Sequence, residues 1–413
     1  MVKTVLLGWI IFNEVVMVVL EIMNVRFSRS KNRKIPPLLA SIITEDRFKR
    51  SLEYLKDHTL FGINRTIFNL LFTLLSLLSI APWLERLVFH QSSRVIWQGL
   101  LYFGLLFLIN FVISIPFSLY EDFRIEAKYG FNKTTYRLFF ADSLKSFMIT
   151  VLLGGLFLSG ILYILINNTF WWWQLSIASS LFLVVAIWVF PVFLMPLFNK
   201  FKPLDEGDLK DAIIDFTSKN KININKIFVM DASTRTSHGN AFLTGIGFSR
   251  RLVLFDTILT YPKEEILSII AHEWGHQKHN DIYRQLVTSI LSFVLILFVS
   301  NILYVSGIIE KAFLVKTPYS LLFYSFTMIS PILFFLSPLT NFLIRKQEYS
   351  ADLFSLRMTK DLSPALSSLK RLISDNLSNL NPHPLYRLFY YTHPAPEERI
   401  QHLVDQAKLD KIS

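Results

Sequence analysis

Seven apolar stretches dominate this chain, near residues 3–24, 66–89, 97–120, 146–167, 171–198, 285–306 and 319–344. Each is long enough to cross a bilayer as a helix, which takes about 20 residues. Hydrocarbon offers no water to an unpaired backbone N–H or C=O, so such stretches must close their hydrogen bonds internally. The expected fold class is mainly α, a polytopic membrane protein with seven transmembrane helices. Composition agrees: 52% of residues are hydrophobic and 18% charged, against about 25% charged in a soluble domain. The first stretch does not read as a cleavable signal peptide, because Asn13, Glu14 and Glu21 interrupt it and no small-residue cleavage site follows. It is expected to stay as a span. Glu14 inside it is either a buried functional group or one that snorkels to water.

The net charge of +11 has two readings, nucleic-acid binding or membrane topology, and its distribution decides for topology. Basic residues crowd "RFSRSKNRK" (26–34) and the segment up to Arg65, and the segments 121–145, 200–284 and 345–413 are long and charged. The loops between them are short, and "NNT" (167–169) carries no charge. By the positive-inside rule the N-terminus lies outside, with the basic loops and the C-terminus in the cytoplasm. "WWW" at 171–173 suits an aromatic belt on the outer side. The expected partner is therefore the lipid bilayer and not nucleic acid. Cysteine is absent, which excludes disulfides, Cys-ligated zinc and thiol catalysis. Any metal must be held by His and carboxylates.

The chain divides into a membrane domain at 1–199, a soluble segment at 200–284, two further spans in 285–344 and a helical C-terminal segment at 345–413. In the soluble segment "LKDAIIDFTSKN" is patterned as an amphipathic helix and "KIFVMDAS" as a strand. "HGNAFLTGIGFSRR" and "LVLFDTILTY" form a plausible strand pair. "IIAHEWGHQKHND" (269–281) follows. His272 and His276 are four residues apart, so both imidazoles leave one helix face and can share a zinc ion. Glu273 lies about 100° around that helix, where it can act as general base on a bound water without displacing a ligand. Gly275 costs a helix about 1 kcal/mol relative to Ala, which close packing against a neighbour would explain.

A hydrolytic zinc site needs a third protein ligand and an open position for water. His279 sits seven residues from His272, roughly 10 Å along a helix, too far to share one ion. It is expected to be exposed. The metzincin pattern would place a His where Ile282 stands. "RKQEYSAD" (345–352) is the better source: Glu348 as third ligand, with Asp352 on the same helix face to hydrogen-bond the free nitrogen of a ligand His.

These motifs and their order resemble the type I CAAX prenyl proteases, integral-membrane zinc metallopeptidases of the HExxH…E type. The likeness covers nearly the whole chain. It runs through "EAKYGFNKTT" (126–135), "FPVFLMPLFNKFKPLDEGDLK" (190–210), "SHGNAF" (237–242), "LVLFDTIL", "HEWGH", "EYSAD" and "THPAPEERI" (392–400). The resemblance implies a ring of seven spans enclosing an aqueous chamber, capped by a zincin-like domain with a small β-sheet. It implies one zinc ion on His272, His276 and Glu348, with Glu273 as the base and His393 stabilising the oxyanion. Asn240, beside an edge strand that holds substrate backbone, Arg399 and His238 would contact substrate or support the site. The bland alternatives are a turn cap for His238 and Asn240, an ordinary loop position for His393, and a surface pair with Glu397 or Glu398 for Arg399. The substrate would be a peptide or protein, prenylated or not.

Asp281 departs from this pattern, in which a His is expected, and resembles shorter bacterial relatives of membrane-protein quality control. With the absence of cysteine and a "KIS" terminus, it favours a bacterial inner membrane over the endoplasmic reticulum. Quality control without prenyl specificity is thus an alternative function. An intramembrane protease would take its third ligand as an Asp from a later span. A transporter with a structural metal site would need four protein ligands.

Overall fold

The structure is a computed structural model that describes residues 1–412 apart from 31–33, 221, 223–225 and 246–250. All seven apolar stretches are helical: α1 (Val2–Ser28), α2 (Glu45–Phe89), α3 (Val95–Tyr129), α4 (Tyr136–Asn167), α5 (Trp171–Phe198), α8 (Asp281–Val305) and α10 (Pro318–Thr359). Between and after them lie α6 (Asp208–Lys219), α7 (Lys263–Lys278), α9 (Ile308–Phe313), α11 (Leu362–Asp375), α12 (Pro384–Tyr390) and α13 (Pro396–Asp410). Two of the spans far exceed a bilayer. At 45 residues in α2 and 42 in α10, and about 1.5 Å rise per residue, each projects well beyond the hydrocarbon. α2 begins where its sequence says a helix should. Thr44 caps it by accepting a hydrogen bond from Arg47 N, and Glu45 and Asp46 follow at the positive end of the helix dipole.

The spans pack against one another at one end. A buried cluster of Leu77, Leu84, Tyr102, Leu162, Trp171 and Tyr324 joins α2, α3, α4, α5 and α10 near the 90–94 and 168–170 turns. Tyr324 donates to the Leu77 carbonyl across this cluster. α4, by contrast, buries only Leu162 and Leu165 along its whole length. The other helices therefore cover little of α4.

At the opposite end a four-stranded sheet has the order β1 (Phe201–Pro203), β2 (Ile227–Met230), β4 (Arg251–Phe255), β3 (Ala241–Thr244). β2 and β4 are parallel, and the outer pairs are antiparallel. The sequence patterns of β2, β3 and β4 are realised. β1 is only three residues long and ends on Pro203, too short for a hydrophobic alternation to mark. β3 is the edge strand on the side of α7. Leu252, Leu254, Ile258, Ile266 and Ile270 pack the sheet onto α7 and, with Ile213, onto α6.

α7 and α10 meet at a seam of small residues. Ser355 Oγ donates to the Ser268 carbonyl at 2.8 Å. A Cβ on Gly275 would lie 2.8 Å from Ala351 Cα and 3.1 Å from its carbonyl oxygen. The glycine that weakens α7 as a helix is therefore what lets α10 approach, and the approach carries Glu348 to the histidines. Because the obstructing atoms are backbone, Gly275→Ala should destabilise the protein by about 1–3 kcal/mol, the usual cost of overpacking. A lowered thermal unfolding midpoint in detergent would register it; an unchanged midpoint would contradict the seam.

Candidate active site

α7 presents His272 and His276 from one face, with their Nε2 atoms 3.2 Å apart. Two nitrogens about 2.05 Å from one tetrahedral ion stand about 3.3 Å apart, so the pair is already at ligand spacing. Glu348 arrives from α10, with Oε1 3.4 Å from His276 Nε2 and Oε2 3.5 Å from His272 Nε2. The ligand atoms of the three residues lie within 4.8 Å of one another. Glu348 is 5% exposed, and its Oε2 has no hydrogen-bond partner. A buried carboxylate oxygen without a donor is costly; a cation between it and the two imidazoles removes that cost. The residues present fit a divalent metal with nitrogen and oxygen ligands.

Each of the two histidines is oriented from behind. His272 Nδ1 faces Asp352 Oδ1 at 2.8 Å, the partner expected from the i, i+4 spacing of Glu348 and Asp352. His276 Nδ1 faces Asp281 Oδ2 at 2.9 Å. With carboxylates on both Nδ1 atoms, the Nε2 lone pairs point to the metal position. In the sequence Asp281 is only a departure from the family pattern. Its role depends on Asn280, which adopts a left-handed conformation at φ 59° and turns the chain from α7 directly into α8. Asp281 is 1% exposed there, at the N-terminus of α8, where the dipole favours a negative charge. Asp281→Ala should weaken metal affinity about 10–100-fold, the range for losing such a partner; metal titration followed by chelator competition measures it, and an unchanged affinity would show that the contact is incidental.

Arg399 on α13 closes the cluster. Its Nε and Nη2 donate to Asp352 at 2.6 and 2.7 Å, and Nη2 lies 3.7 Å from Glu348 Oε2. It does not pair with its sequence neighbours; Glu398 pairs with Arg387 instead. A guanidinium held bidentately is fixed in orientation, so Arg399 braces Asp352 and through it His272. Burial and Arg399 both oppose a charge on His272, but Asp352 and Glu348 outweigh them and lift its pKa to about 9. A divalent metal held there would take the place of that proton. Burial pushes the Glu273 carboxyl up, with His272 and His276 opposing, the direction suited to a residue that must carry a proton part of the time.

His393 stands across the cluster on the loop before α13, its Nε2 3.4 Å from Glu348 Oε1. Its side chain is 60% exposed, but onto a protein-walled cleft. Withdrawal from bulk solvent lowers its pKa, outweighing the pull of Glu348. Thr392 Oγ1 lies 3.0 Å from Nδ1; with the threonine donating, the ring proton sits on Nε2 and faces the cleft. Asn240, Ala241, His272, Glu273, His393 and Arg399 line one pocket, so β3 borders the metal position directly. Asn240 is exposed and its Oδ1 accepts from Ala241 N. His238 does not line that pocket. It turns away to Glu126 and Asn376. His279 caps the end of α7 as predicted away from the metal, but it is half-buried, with its ring edge-on to Phe354.

A pair of histidines and a glutamate joining a soluble helix to a span, on a seven-helix membrane frame, define an integral-membrane metalloprotease. Residues 24–200 match the family described as CAAX prenyl protease N-terminal, five membrane helices, and residues 203–407 match peptidase family M48. The chain is 31% identical to the CAAX prenyl protease 1 homolog of Arabidopsis thaliana, over 89% of each chain. It is 30% identical to CAAX prenyl protease 1 of Saccharomyces cerevisiae, over 91% of this chain and 89% of that one. The crystal structure of S. mikatae Ste24p is similar over 98% of this chain and 99% of its own, at 28% identity and a TM-score of 0.91. The chain belongs to the type I CAAX prenyl protease family of M48 metallopeptidases, as its motifs led us to expect.

Proposed function

We propose that this protein is a zinc endopeptidase that cleaves peptide bonds near the C-terminus of prenylated proteins, at the centre formed by His272, His276 and Glu348. The observation that supports it most is the convergence of both Nε2 atoms on the buried Glu348 carboxylate, whose Oε2 has no hydrogen-bond partner, with Asp352 and Asp281 behind the rings. Zinc suits three nitrogen and oxygen ligands with one open position, where it would make a bound water acidic and polarise the scissile carbonyl. Glu273 takes the proton of the attacking water and returns it to the leaving amine. His393, with its Nε2 proton directed at the cleft, donates to the carbonyl oxygen as negative charge develops there. β3 offers its free edge to the substrate backbone, with Asn240 at the strand entrance holding the chain against it. Arg399 supports Asp352.

The soluble segment and the C-terminal helices thus supply the site, and the spans supply a chamber in which a lipid-bearing substrate stays in contact with the bilayer. Charge distribution supports a site on the cytoplasmic side. That holds equally for a bacterial inner membrane and for the endoplasmic reticulum, since in both the basic loops stay in the cytoplasm. The test compares a farnesylated CAAX peptide with its unprenylated twin, products read by mass spectrometry. Cleavage that prefers the farnesylated peptide supports the reading in full. Equal cleavage of both replaces prenyl specificity with the quality-control reading.

A further inference from the structure

Glu126 takes no part in the chemistry above, yet it gathers three donors from two separate parts of the molecule. Tyr54 Oη donates to it at 2.7 Å and His58 Nε2 lies 2.8 Å away, both from α2. His238 Nε2 lies 3.5 Å from its second oxygen. His238 belongs to the soluble segment, two residues before Asn240 and three before β3. Its other ring nitrogen faces Asn376 Oδ1 at 2.9 Å, and its ring stacks on Phe131 with centroids 4.1 Å apart. The chain beside it is paired as well. Asn132 and Thr236 form an isolated antiparallel bridge, flanked by Lys133 N to Arg235 O at 3.0 Å and Ser237 N to Phe131 O at 3.1 Å. Gly130, at φ 84°, turns the chain out of α3 to make this possible.

We infer that Glu126 is a positioning residue, which clamps the strand that binds substrate to the membrane domain through His238. The inference rests on the proposal that β3 holds the peptide backbone. An edge strand has no partner on its open side, so its approach must be fixed from behind. Thr257 Oγ1 donates to the His238 carbonyl at 2.9 Å from the sheet side, and Glu126 holds the same residue from the membrane side. Loosening the clamp should therefore weaken substrate capture and leave the chemical step intact.

The clamp also carries a pH signature. Its hydrogen bond to Glu126 raises the His238 pKa above 6.5, against burial and with Asn376 adding to the rise. The other charged groups nearby are Glu121 and Asp122 on α3, Arg50 on α2, which binds the Tyr129 carbonyl, and the Lys128–Asp57 pair. A raised pKa means that the contact is complete below the unfolded value of about 6.5 and is lost as pH rises through the folded value. The Michaelis constant should rise over that interval in the native protein and lose this dependence in Glu126→Gln.

The experiment uses the full chain in detergent, a cleavable peptide and bound-zinc analysis. Glu126→Gln should raise KM about tenfold with kcat within about twofold and zinc content unchanged, the pattern of lost binding and retained chemistry. Because the native chain has no cysteine, Asn132→Cys with Thr236→Cys forms a single possible disulfide. Their flanking hydrogen bonds make them a non-hydrogen-bonded pair with Cα atoms about 4.5 Å apart, within disulfide range. Added to Glu126→Gln, the oxidised bridge should restore KM, and reduction should raise it again. If Glu126→Gln does not accumulate as folded protein, His238→Gln is read in the same way. A fall in kcat with KM unchanged overturns the inference, as does a KM that the oxidised bridge leaves high. Cleavage by the native chain that Asn240→Ala leaves at native KM would instead count against β3 as the substrate strand.

Discussion

Glu273→Gln should lower peptide cleavage at least about 1,000-fold, within the range that general acid–base groups supply, while the protein keeps its metal. Glutamine has the same shape and remains on α7 beside His272 and His276, so packing and ligand geometry are preserved. What it loses is the ability to take a proton. Burial already pushes this carboxyl up, with His272 and His276 opposing, and it lines the pocket that Asn240 and His393 share. No other described carboxylate stands ready to replace it: Asp352 is held by Arg399, Asp281 faces His276, and Glu348 faces the metal position. Product formation in single turnover, measured beside metal content, checks the prediction. Near-native cleavage by the variant would remove Glu273 from the mechanism.

The second large effect belongs to Glu348. Glu348→Ala should reduce metal affinity by more than the roughly 100-fold upper range for losing an outer partner, and cleavage should disappear with the metal. The reason is structural as well as electrostatic. Glu348 is the only ligand that α10 contributes, and without it two imidazoles are left beside Arg399 with no carboxylate between them. Asp352 cannot step in, since both its oxygens accept from Arg399. Calorimetric metal titration reads the affinity directly. Native affinity in Glu348→Ala would mean that the third ligand comes from elsewhere.

Much of this site was legible because it rests on local geometry. Spacing on a single helix placed His272 with His276, and Glu348 with Asp352, and both pairs hold. That the two helices touch is a tertiary fact, but Gly275 signalled it in advance, since a helix keeps a glycine poorly unless something needs the room. Asp281 was visible as a residue and not as a partner, because its reach to His276 depends on the left-handed turn at Asn280. The surroundings of His238 were hidden for a similar reason. Its neighbour Asn240 faces the metal pocket, but the chain entering β3 turns His238 back toward Glu126. Hydropathy located every span and missed how far the helices continue, since it reports contact with lipid and is silent on helix outside it. The cap at Thr44 was the available signal for the start of α2.

The most direct measurement is zinc occupancy against cleavage rate. The purified protein is stripped with a chelator and zinc is then returned in steps, with farnesylated peptide hydrolysis followed at each step. Activity should be absent after stripping and should rise in proportion to bound zinc, reaching its full value at about one ion per chain. Glu273→Gln should bind the same single ion and remain inactive. Full activity in stripped protein, or activity unrelated to occupancy, would contradict catalysis at His272, His276 and Glu348.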